Sequence, residues 1–203
     1  AFEPDPAERA VFSSRDRARL SQRALAASAD QVRCFFEEEA FDADGRLVVD
    51  KARAINKIGH ALHDRDAVFN RFSRDPRLAT IAAELGIAHP LLMQSMLIFK
   101  QPRIGGEVVW RQDASFLITE PNSVVGFWWA LEDATLDNGC LWVDPGGHRG
   151  ARGVLRERYV YEQGRLRMEP LDNTPWPDLQ HATPLPVPAG TLVVFHGLLP
   201  HCS

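Results

Sequence analysis

Two stretches decide the fold class of this chain, GEVVWRQDASFL at residues 106–117 and SVVGFWWALED at residues 123–133. Both are rich in β-branched and aromatic residues and are bounded by Gly, Pro, Asn or Asp, which is typical of short strands. Four similar stretches complete the series: LLMQSMLIFKQ (91–101), GCLWVDP (139–145), RYVYEQGRLRM (158–168) and TLVVFHG (191–197). Short strands without helices between them indicate an antiparallel sandwich or barrel rather than a parallel sheet. We therefore predict a jelly roll from Leu91 onward.

The N-terminal part of the chain has helical patterns instead. Residues 5–32 are rich in Ala and Arg and carry apolar residues at loosely helical intervals, so we predict a helix or helices there. Asp75-Pro76, followed by RLATIAAELGI, predicts a short helix with Asp75 as its N-cap and Gly86 just beyond its end. Helices confined to the first part of the chain indicate that they flank the sheet.

A hairpin is predicted between these two helical segments. Strands at about 32–37 and 46–49 lie on either side of the dipeptide Asp44-Gly45, which has the chemistry of a tight turn. Together with the C-terminal strands, these elements predict a fold that is mainly β with flanking helices (α+β).

Length and composition exclude several classes of protein. A chain of 203 residues, 45% hydrophobic and 25% charged, is expected to form one folded domain. Its net charge of −4 gives no basic field for nucleic acid, and no apolar run reaches the roughly 18 to 20 residues that span a bilayer. Cys34, Cys140 and Cys202 match neither a disulfide scaffold nor a zinc motif, so we expect a cytoplasmic protein.

The ends of the chain suggest that it is part of a longer protein. The first residue is Ala rather than Met, and the last residues follow directly on an apolar stretch. We therefore expect a single domain over residues 1–203 that lacks N- and C-terminal parts of the natural protein.

The chemistry centres on Arg111-Gln112-Asp113, at the end of a predicted strand, and on His196 and His201 nearly ninety residues later. Residues 111 and 113 of a strand point to one face, whereas Gln112 points to the other. Non-haem iron oxygenases hold Fe(II) with two His and one carboxylate. The placement of Asp113 and a distant His fits such a centre.

The sequence resembles the phytanoyl-CoA dioxygenase family, especially its domain-containing branch. Four motifs carry the resemblance: INKIGHALHD (55–64), QSMLIFKQPRIGGEVVWRQDASFLITEP (94–121), GFWWALEDATLDNGCLWVDPGGH (126–148) and GTLVVFHGLLPHCS (190–203). The resemblance implies a double-stranded β-helix, which is a cupin-like jelly roll, and Fe(II)- and 2-oxoglutarate-dependent oxygenation of a small molecule. Residues 1–203 would then be one phytanoyl-CoA dioxygenase-like domain.

The same resemblance implies site residues. Asp113 and His201 match iron ligands, and His201 rather than His196 matches the distal His. The expected cofactor-binding residues share positions that line the 2-oxoglutarate pocket: Lys57, Met96, Gln112, Asp113, Trp128, His201 and Ser203. The Arg that clamps the far carboxylate of 2-oxoglutarate would follow Ser203.

Arg111 departs from the family, because it stands where the first His ligand belongs. A guanidinium has no lone pair to give a metal, so position 111 cannot ligate iron. His196 or His148 is an alternative third ligand, although both match family positions not used for iron. Arg111 is also able to pair with Asp113, which would put a fixed positive charge in place of the metal.

Three functions therefore stay open: an impaired dioxygenase, a non-catalytic protein that binds 2-oxoglutarate or a related carboxylate, and a jelly-roll interaction module. The substrate is expected to be a small molecule, with an acyl-CoA or another carboxylate as candidates. Four basic residues follow the PGGH turn and offer either a solvated basic face or contacts to an anionic substrate: Arg149, Arg152, Arg156 and Arg158.

Overall fold

A computed structural model describes residues 4–8, 10–13, 28–162 and 165–203 of the chain. The chain divides into two compact units, the first comprising residues 1–12 and 20–106 and the second residues 13–19 and 107–203. Each unit has its own sheets and apolar core, so each is described separately. The single domain over residues 1–203 stays a prediction.

The first unit is built on a four-stranded sheet. Its strands follow one another in the order β1-β2-β3-β4, with β1 parallel to β2 and the other pairs antiparallel. The strand bounds are Val11–Phe12 (β1), Val32–Glu37 (β2), Ile55–His60 (β3) and Ser95–Ile98 (β4). All six residues of β3 are buried, so this strand forms the centre of the unit.

Three short helices follow β3: Leu62–Arg65 (α1), Ala67–Ser73 (α2) and Pro76–Glu84 (α3). The start of α3 is as predicted, because the Asp75 carboxylate accepts a hydrogen bond from the Arg77 backbone N–H at 2.9 Å and Pro76 is the first helical residue. Gly86 lies beyond its end with a φ of 81°, a conformation that glycine adopts without strain. Leu62 packs with Ile55 and Ile58, which fastens the helices to the sheet.

Of two expectations for the first unit, the helix over 5–32 is contradicted only where the structure describes that range, and the strand at 46–49 is wrong. Within residues 5–32, the described residues include a 3-10 turn at Pro6–Glu8 and the strand Val11–Phe12 rather than continuous helix, and residues 14–27 lie outside the described part of the chain. Residues 46–49 form no regular strand; only Leu47 bridges to Phe41. The strand at 32–37 is confirmed.

The reason for the difference at 46–49 is local. The Asp42 carboxylate accepts a hydrogen bond from the Arg46 backbone N–H at 2.7 Å, which closes a tight turn. Leu47 and Val49 then pack against the cluster of Phe36 and its neighbours. Backbone hydrogen bonds from Asp42 N–H to Arg46 O and from Val48 N–H to Ala40 O, both 2.9 Å, and this packing together set the path of the segment, but the pairing is too short to form a regular strand.

The second unit is a set of antiparallel strand pairs. Strands β5 and β10 pair, β6 lies between β9 and β11, and β7 pairs with β8. The bounds are Val125–Trp129 (β5), Leu141–Val143 (β6), Glu157–Glu162 (β7), Arg165–Pro170 (β8), Thr183–Leu185 (β9), Leu192–His196 (β10) and His201–Cys202 (β11). The core contains Leu141, Val143, Phe195 and Leu199. The chain is thus mainly β with few helices, as predicted.

The segment 106–113 differs from the predicted strand, because it pairs only at isolated points. Val108 and Ser203 exchange backbone hydrogen bonds of 2.8 and 3.0 Å, and Arg111 and His201 exchange bonds of 3.0 and 3.1 Å. Arg111 lies three positions from Val108, but His201 lies only two positions from Ser203, so the ladder is irregular. None of the described helices is long and apolar enough to span a membrane.

His60 is a buried titratable group at the end of β3. Its Nδ1 lies 2.7 Å from the Ser28 hydroxyl, and its ring packs against Phe35. Burial, followed by the charge of nearby Lys57, lowers the pKa of His60 to about 4. The imidazole is therefore neutral in the folded protein at neutral pH.

We predict that the protein loses stability as the pH falls from about 6.5 towards about 4, because the unfolded chain takes up a proton on residue 60 before the folded protein does. The loss is on the order of 3 kcal/mol in free energy of unfolding. Urea unfolding of the wild type and of His60→Asn over this range measures it. His89→Asn, at an exposed position, serves as control and keeps the wild-type slope. Equal slopes for wild type and His60→Asn would contradict the assignment.

Candidate functional site

The second unit brings together the two residues predicted as iron ligands. Asp113 begins a 3-10 turn directly after the segment that pairs with β11, and His201 is the first residue of β11. The backbone pairing of Arg111 with His201 sets the two segments side by side. The Asp113 Oδ1 atom consequently lies 3.4 Å from His201 Nε2.

The His201 ring is held in one orientation. Its side chain is buried, and Nδ1 lies 2.9 Å from the Leu199 carbonyl oxygen. A carbonyl only accepts, so Nδ1 carries a proton and donates it; Nε2 faces Asp113 and carries the lone pair whenever the imidazole is neutral. Phe195 packs against the ring at a centroid distance of 4.8 Å. A fixed Nε2 lone pair beside a carboxylate is a donor arrangement suited to a metal.

The Asp113 carboxylate is ionised in this setting. Burial by itself would raise its pKa, but the hydrogen bond and charge of His201 and the charge of Arg111 outweigh burial and place the pKa below its ordinary value. The side chain keeps 29% of its surface exposed. The carboxylate therefore offers a negative oxygen to a ligand that enters from solvent.

Gly126 on β5 provides the space around this carboxylate. A Cβ atom at this position would lie 2.6 Å from the Phe195 ring and 3.1 Å from Asp113 Oδ2. Any larger residue would have to displace one of them. In the sequence, Gly126 is one residue of the GFWWALED stretch with no signal of its own, because the close approach depends on the pairing of β5 with β10.

Arg111 brings a positive charge close to the pair without a direct contact. Burial lowers its pKa and the charges of Asp113 and Cys202 raise it, but a guanidinium stays protonated near neutral pH. Its buried Nη1 atom has no hydrogen-bond partner among the described residues. The ion pair with Asp113 considered above is therefore not formed, and the influence of Arg111 on Asp113 acts through space.

The described residues place no third His, Cys, Asp or Glu side chain beside Asp113 and His201. Among the residues that the structure describes, no group of three or more His, Cys, Asp or Glu side chains is placed to hold a metal ion. His148 and His196 stack on each other with centroids 5.4 Å apart. His148 Nε2 lies 3.2 Å from Arg149 Nε, and His196 Nδ1 accepts from the Leu198 backbone N–H at 3.1 Å. Asp113 and His201 thus come together without a third His, Cys, Asp or Glu donor among the described residues, and their role as iron ligands stays a prediction.

Gln112 holds three backbone segments together. The side chain is fully buried; its Nε2 donates to the carbonyl oxygens of Val154 at 2.8 Å and Leu198 at 2.7 Å, and its Oε1 accepts from the Arg156 backbone N–H at 3.0 Å. These contacts fix the path of the chain on both sides of Asp113 and His201. The alternation of side chains along a strand predicts that Gln112 faces away from Asp113. No local sequence pattern indicates that its amide bonds to the backbone of residues 154, 156 and 198.

The remaining predicted residues of the second unit lie on its strands or close to them. Trp128 is on β5, opposite Val193 of β10, and packs against the core. Ser203 pairs with Val108 through its backbone. Their predicted contacts with 2-oxoglutarate stay predictions.

Lys57 and Met96 belong to the first unit. Lys57 is a buried residue of β3 whose Nζ lies 3.0 Å from the centroid of the Phe12 ring. Met96 on β4 is 40% exposed and faces Gly59. The structure therefore places the two residues on neighbouring strands, and their predicted role in binding 2-oxoglutarate stays a prediction.

Comparison with known proteins gives consistent matches. The family model described as phytanoyl-CoA dioxygenase (PhyH) matches residues 7–203. Phytanoyl-CoA dioxygenase 1 of Oryza sativa subsp. japonica is 44% identical over 193 residues, which are 95% of this chain and 67% of the relative. Phytanoyl-CoA dioxygenase domain-containing protein 1 of Bos taurus is 43% identical over 201 residues, 96% of this chain and 68% of the relative. The chain thus spans about two thirds of the length of these relatives.

Solved structures show the same fold at lower identity. EvdMO1 aligns with a TM-score of 0.56 and 19% identity, over 95% of this chain and 40% of its own. EctD from S. alaskensis, crystallised with 2-oxoglutarate and 5-hydroxyectoine, aligns with a TM-score of 0.52 and 20% identity, over 100% of this chain and 76% of its own. At this level of identity, the similarity concerns the fold alone.

We predict that Gln112→Ala lowers the free energy of unfolding by about 3 kcal/mol, because three buried backbone groups lose their partner. Gln180→Ala, at an exposed position, is the matched control and is expected to change stability by less than about 0.5 kcal/mol. Urea unfolding of both variants measures the difference. If the two variants were equally stable, Gln112 would not hold these segments.

Proposed function

The chain belongs to the phytanoyl-CoA dioxygenase family, and on this premise we propose that it carries an Fe(II)- and 2-oxoglutarate-dependent dioxygenase site that is incomplete at position 111. The substrate is a small molecule, with an acyl-CoA or another carboxylate as candidate classes. A jelly roll is the proposed topology of the strands, in keeping with the antiparallel pairs of the second unit.

One observation carries this proposal. Asp113 Oδ1 and His201 Nε2 lie 3.4 Å apart, and the bond from His201 Nδ1 to the Leu199 carbonyl keeps the Nε2 lone pair directed at the same region. A carboxylate and a neutral imidazole are two of the three ligands in a 2-His-1-carboxylate iron site.

The residues present do not complete such a site. Arg111 replaces the remaining His, and its charge repels a divalent cation where the family has a neutral donor. Asp113 and His201 would hold Fe(II) weakly, so this chain is expected to turn over 2-oxoglutarate poorly or not at all. Gln112, Lys57, Met96, Trp128 and Ser203 are proposed to bind the cosubstrate, on the family resemblance.

A non-catalytic carboxylate-binding protein is the second candidate function. The observation in its favour is that the buried Nη1 of Arg111 has no partner among the described residues. A guanidinium binds carboxylates well, so Arg111 could hold 2-oxoglutarate or a related acid without any metal. The two functions differ in whether the acid requires iron.

We predict that Arg111→His binds Fe(II) more tightly than the wild type by about tenfold or more, because it replaces a cation with a neutral donor beside Asp113 and His201. Anaerobic equilibrium dialysis measures the affinity without turnover. Arg111→Ala is the matched control, since it removes the charge and adds no ligand. Equal affinities for Arg111→His and Arg111→Ala, or stoichiometric iron with succinate production in the wild type, would contradict the role given to position 111.

The two candidate functions are separated by titrating 2-oxoglutarate into metal-free protein. The incomplete dioxygenase binds the acid only when Arg111→His has been loaded with Fe(II). The non-catalytic protein binds it without metal in the wild type and loses it in Arg111→Ala. Absence of both kinds of binding would exclude both functions and favour a jelly-roll interaction module.

A further inference from the structure

The four arginines after the PGGH turn differ in how their side chains are used. Three of them have partners in the structure. Arg152 Nη1 lies 3.0 Å from Asp144 Oδ1, Arg158 Nε lies 2.6 Å from Glu169 Oε2, and Arg149 Nε lies 3.2 Å from His148 Nε2. Those three positions have the ordinary features of a paired, solvated basic surface.

Arg156 is the exception. The residue is only 4% exposed, and neither its Nε nor its Nη1 has a hydrogen-bond partner among the described residues. Burying an N–H group without an acceptor costs about 1 to 3 kcal/mol, and more for a charged group. A guanidinium cannot avoid this cost by losing its proton. Two such groups on one buried side chain therefore require an acceptor.

The surroundings of Arg156 hold it in place without using these N–H groups. Its backbone N–H donates to Gln112 Oε1 at 3.0 Å, and its carbonyl oxygen accepts from the Leu171 N–H at 2.8 Å. The ring of Trp176 lies 5.0 Å from the guanidinium carbon. A cation–π contact involves the ring face and leaves the N–H groups at the edge of the guanidinium free.

The nearest carboxylates act on Arg156 through charge alone. Asp144 and Asp172 favour its protonated form, whereas burial and the charge of Arg152 disfavour it. Asp144 is bound by Arg152, and the Asp172 carboxylate accepts from the Thr174 backbone N–H at 2.7 Å. The described residues thus leave the two N–H groups of Arg156 to an external acceptor.

We propose that Arg156 and Trp176 form a binding site for an oxyanion, the carboxylate or phosphate group of a small molecule. Arg156 supplies the charge and the hydrogen bonds, and Trp176 keeps the guanidinium in position. Both residues lie in the second unit, and the Arg156 backbone is tied through Gln112 to the segment that carries Asp113. The site requires no metal, so it holds whether or not Asp113 and His201 bind iron.

The test is a calorimetric titration at constant ionic strength with two separate probes, inorganic phosphate and acetate. At least one is expected to bind the wild type, and the stronger probe identifies the anion class. Arg156→Met is expected to weaken binding by about tenfold or more, since hydrogen bonds to a charged group are lost. Arg158→Met, which removes an arginine paired at the surface, is the matched control and keeps wild-type affinity.

A stability measurement separates this role from a structural one. Without anion, Arg156→Met is expected to have the wild-type Tm or a higher one, because it removes unpaired buried N–H groups. Added anion raises the Tm of the wild type and of Arg158→Met, but not that of Arg156→Met. If Arg156→Met fails to fold, Arg156→Lys and Trp176→Leu provide the binding comparison. Absence of binding by the wild type, or equal binding by wild type and the Arg156 variants, would overturn the proposal.

Discussion

The backbone pairing of Arg111 with His201 is the contact on which the candidate site depends. It consists of two hydrogen bonds, 3.0 and 3.1 Å long, between segments separated by ninety residues of chain. The Gln112 amide reinforces it, because Nε2 donates to the carbonyl of Leu198 in the turn before His201. Without this pairing, Asp113 and His201 would belong to unrelated parts of the chain. The backbone pairing of residues 108–111 with 201–203 is short and irregular. The buried Gln112 amide therefore supplies hydrogen bonds that a regular pair of strands would form through its backbone.

Arg111 acts on the electrostatics of the pair through its side chain, while its backbone pairs with His201. The substitution leaves the backbone contacts of position 111 in place, since they do not involve the side chain. Arg111 is a fixed cation at the position where the family resemblance implies a His ligand. The interactions of Asp113 with His201, and then the charge of Arg111, lower the pKa of Asp113. The carboxylate stays ionised and the imidazole stays oriented, yet a divalent cation meets repulsion in place of a ligand. The described residues thus place an oriented imidazole beside an ionised carboxylate, with a buried guanidinium close to both.

Arg111 and Arg156 each have a buried side-chain N–H group that has no hydrogen-bond partner among the described residues. Such groups reduce stability, and a well-packed apolar residue in their place would avoid the penalty. Gln112 is the opposite case, because its buried amide makes three hydrogen bonds to backbone groups. The contrast between Gln112, which is fully bonded, and Arg156, whose backbone it holds, points to a ligand-binding purpose for the arginine.

Sequence alone determined the elements whose signals are local. Helix α3 has its N-cap, its first-turn proline and its terminal glycine within thirteen residues, and strand β2 has a dense run of apolar residues. The order of the motifs also identified the family and singled out Asp113, His201 and the foreign Arg111. Only the tertiary structure decided the rest. Residues 46–49 pair with the preceding segment only around the Phe41–Leu47 bridge, and Gln112, Gly126 and Arg156 depend on partners up to 86 residues away. Strand pairing, close packing and the burial of charge are properties of neighbours in space, and a local sequence pattern does not contain them.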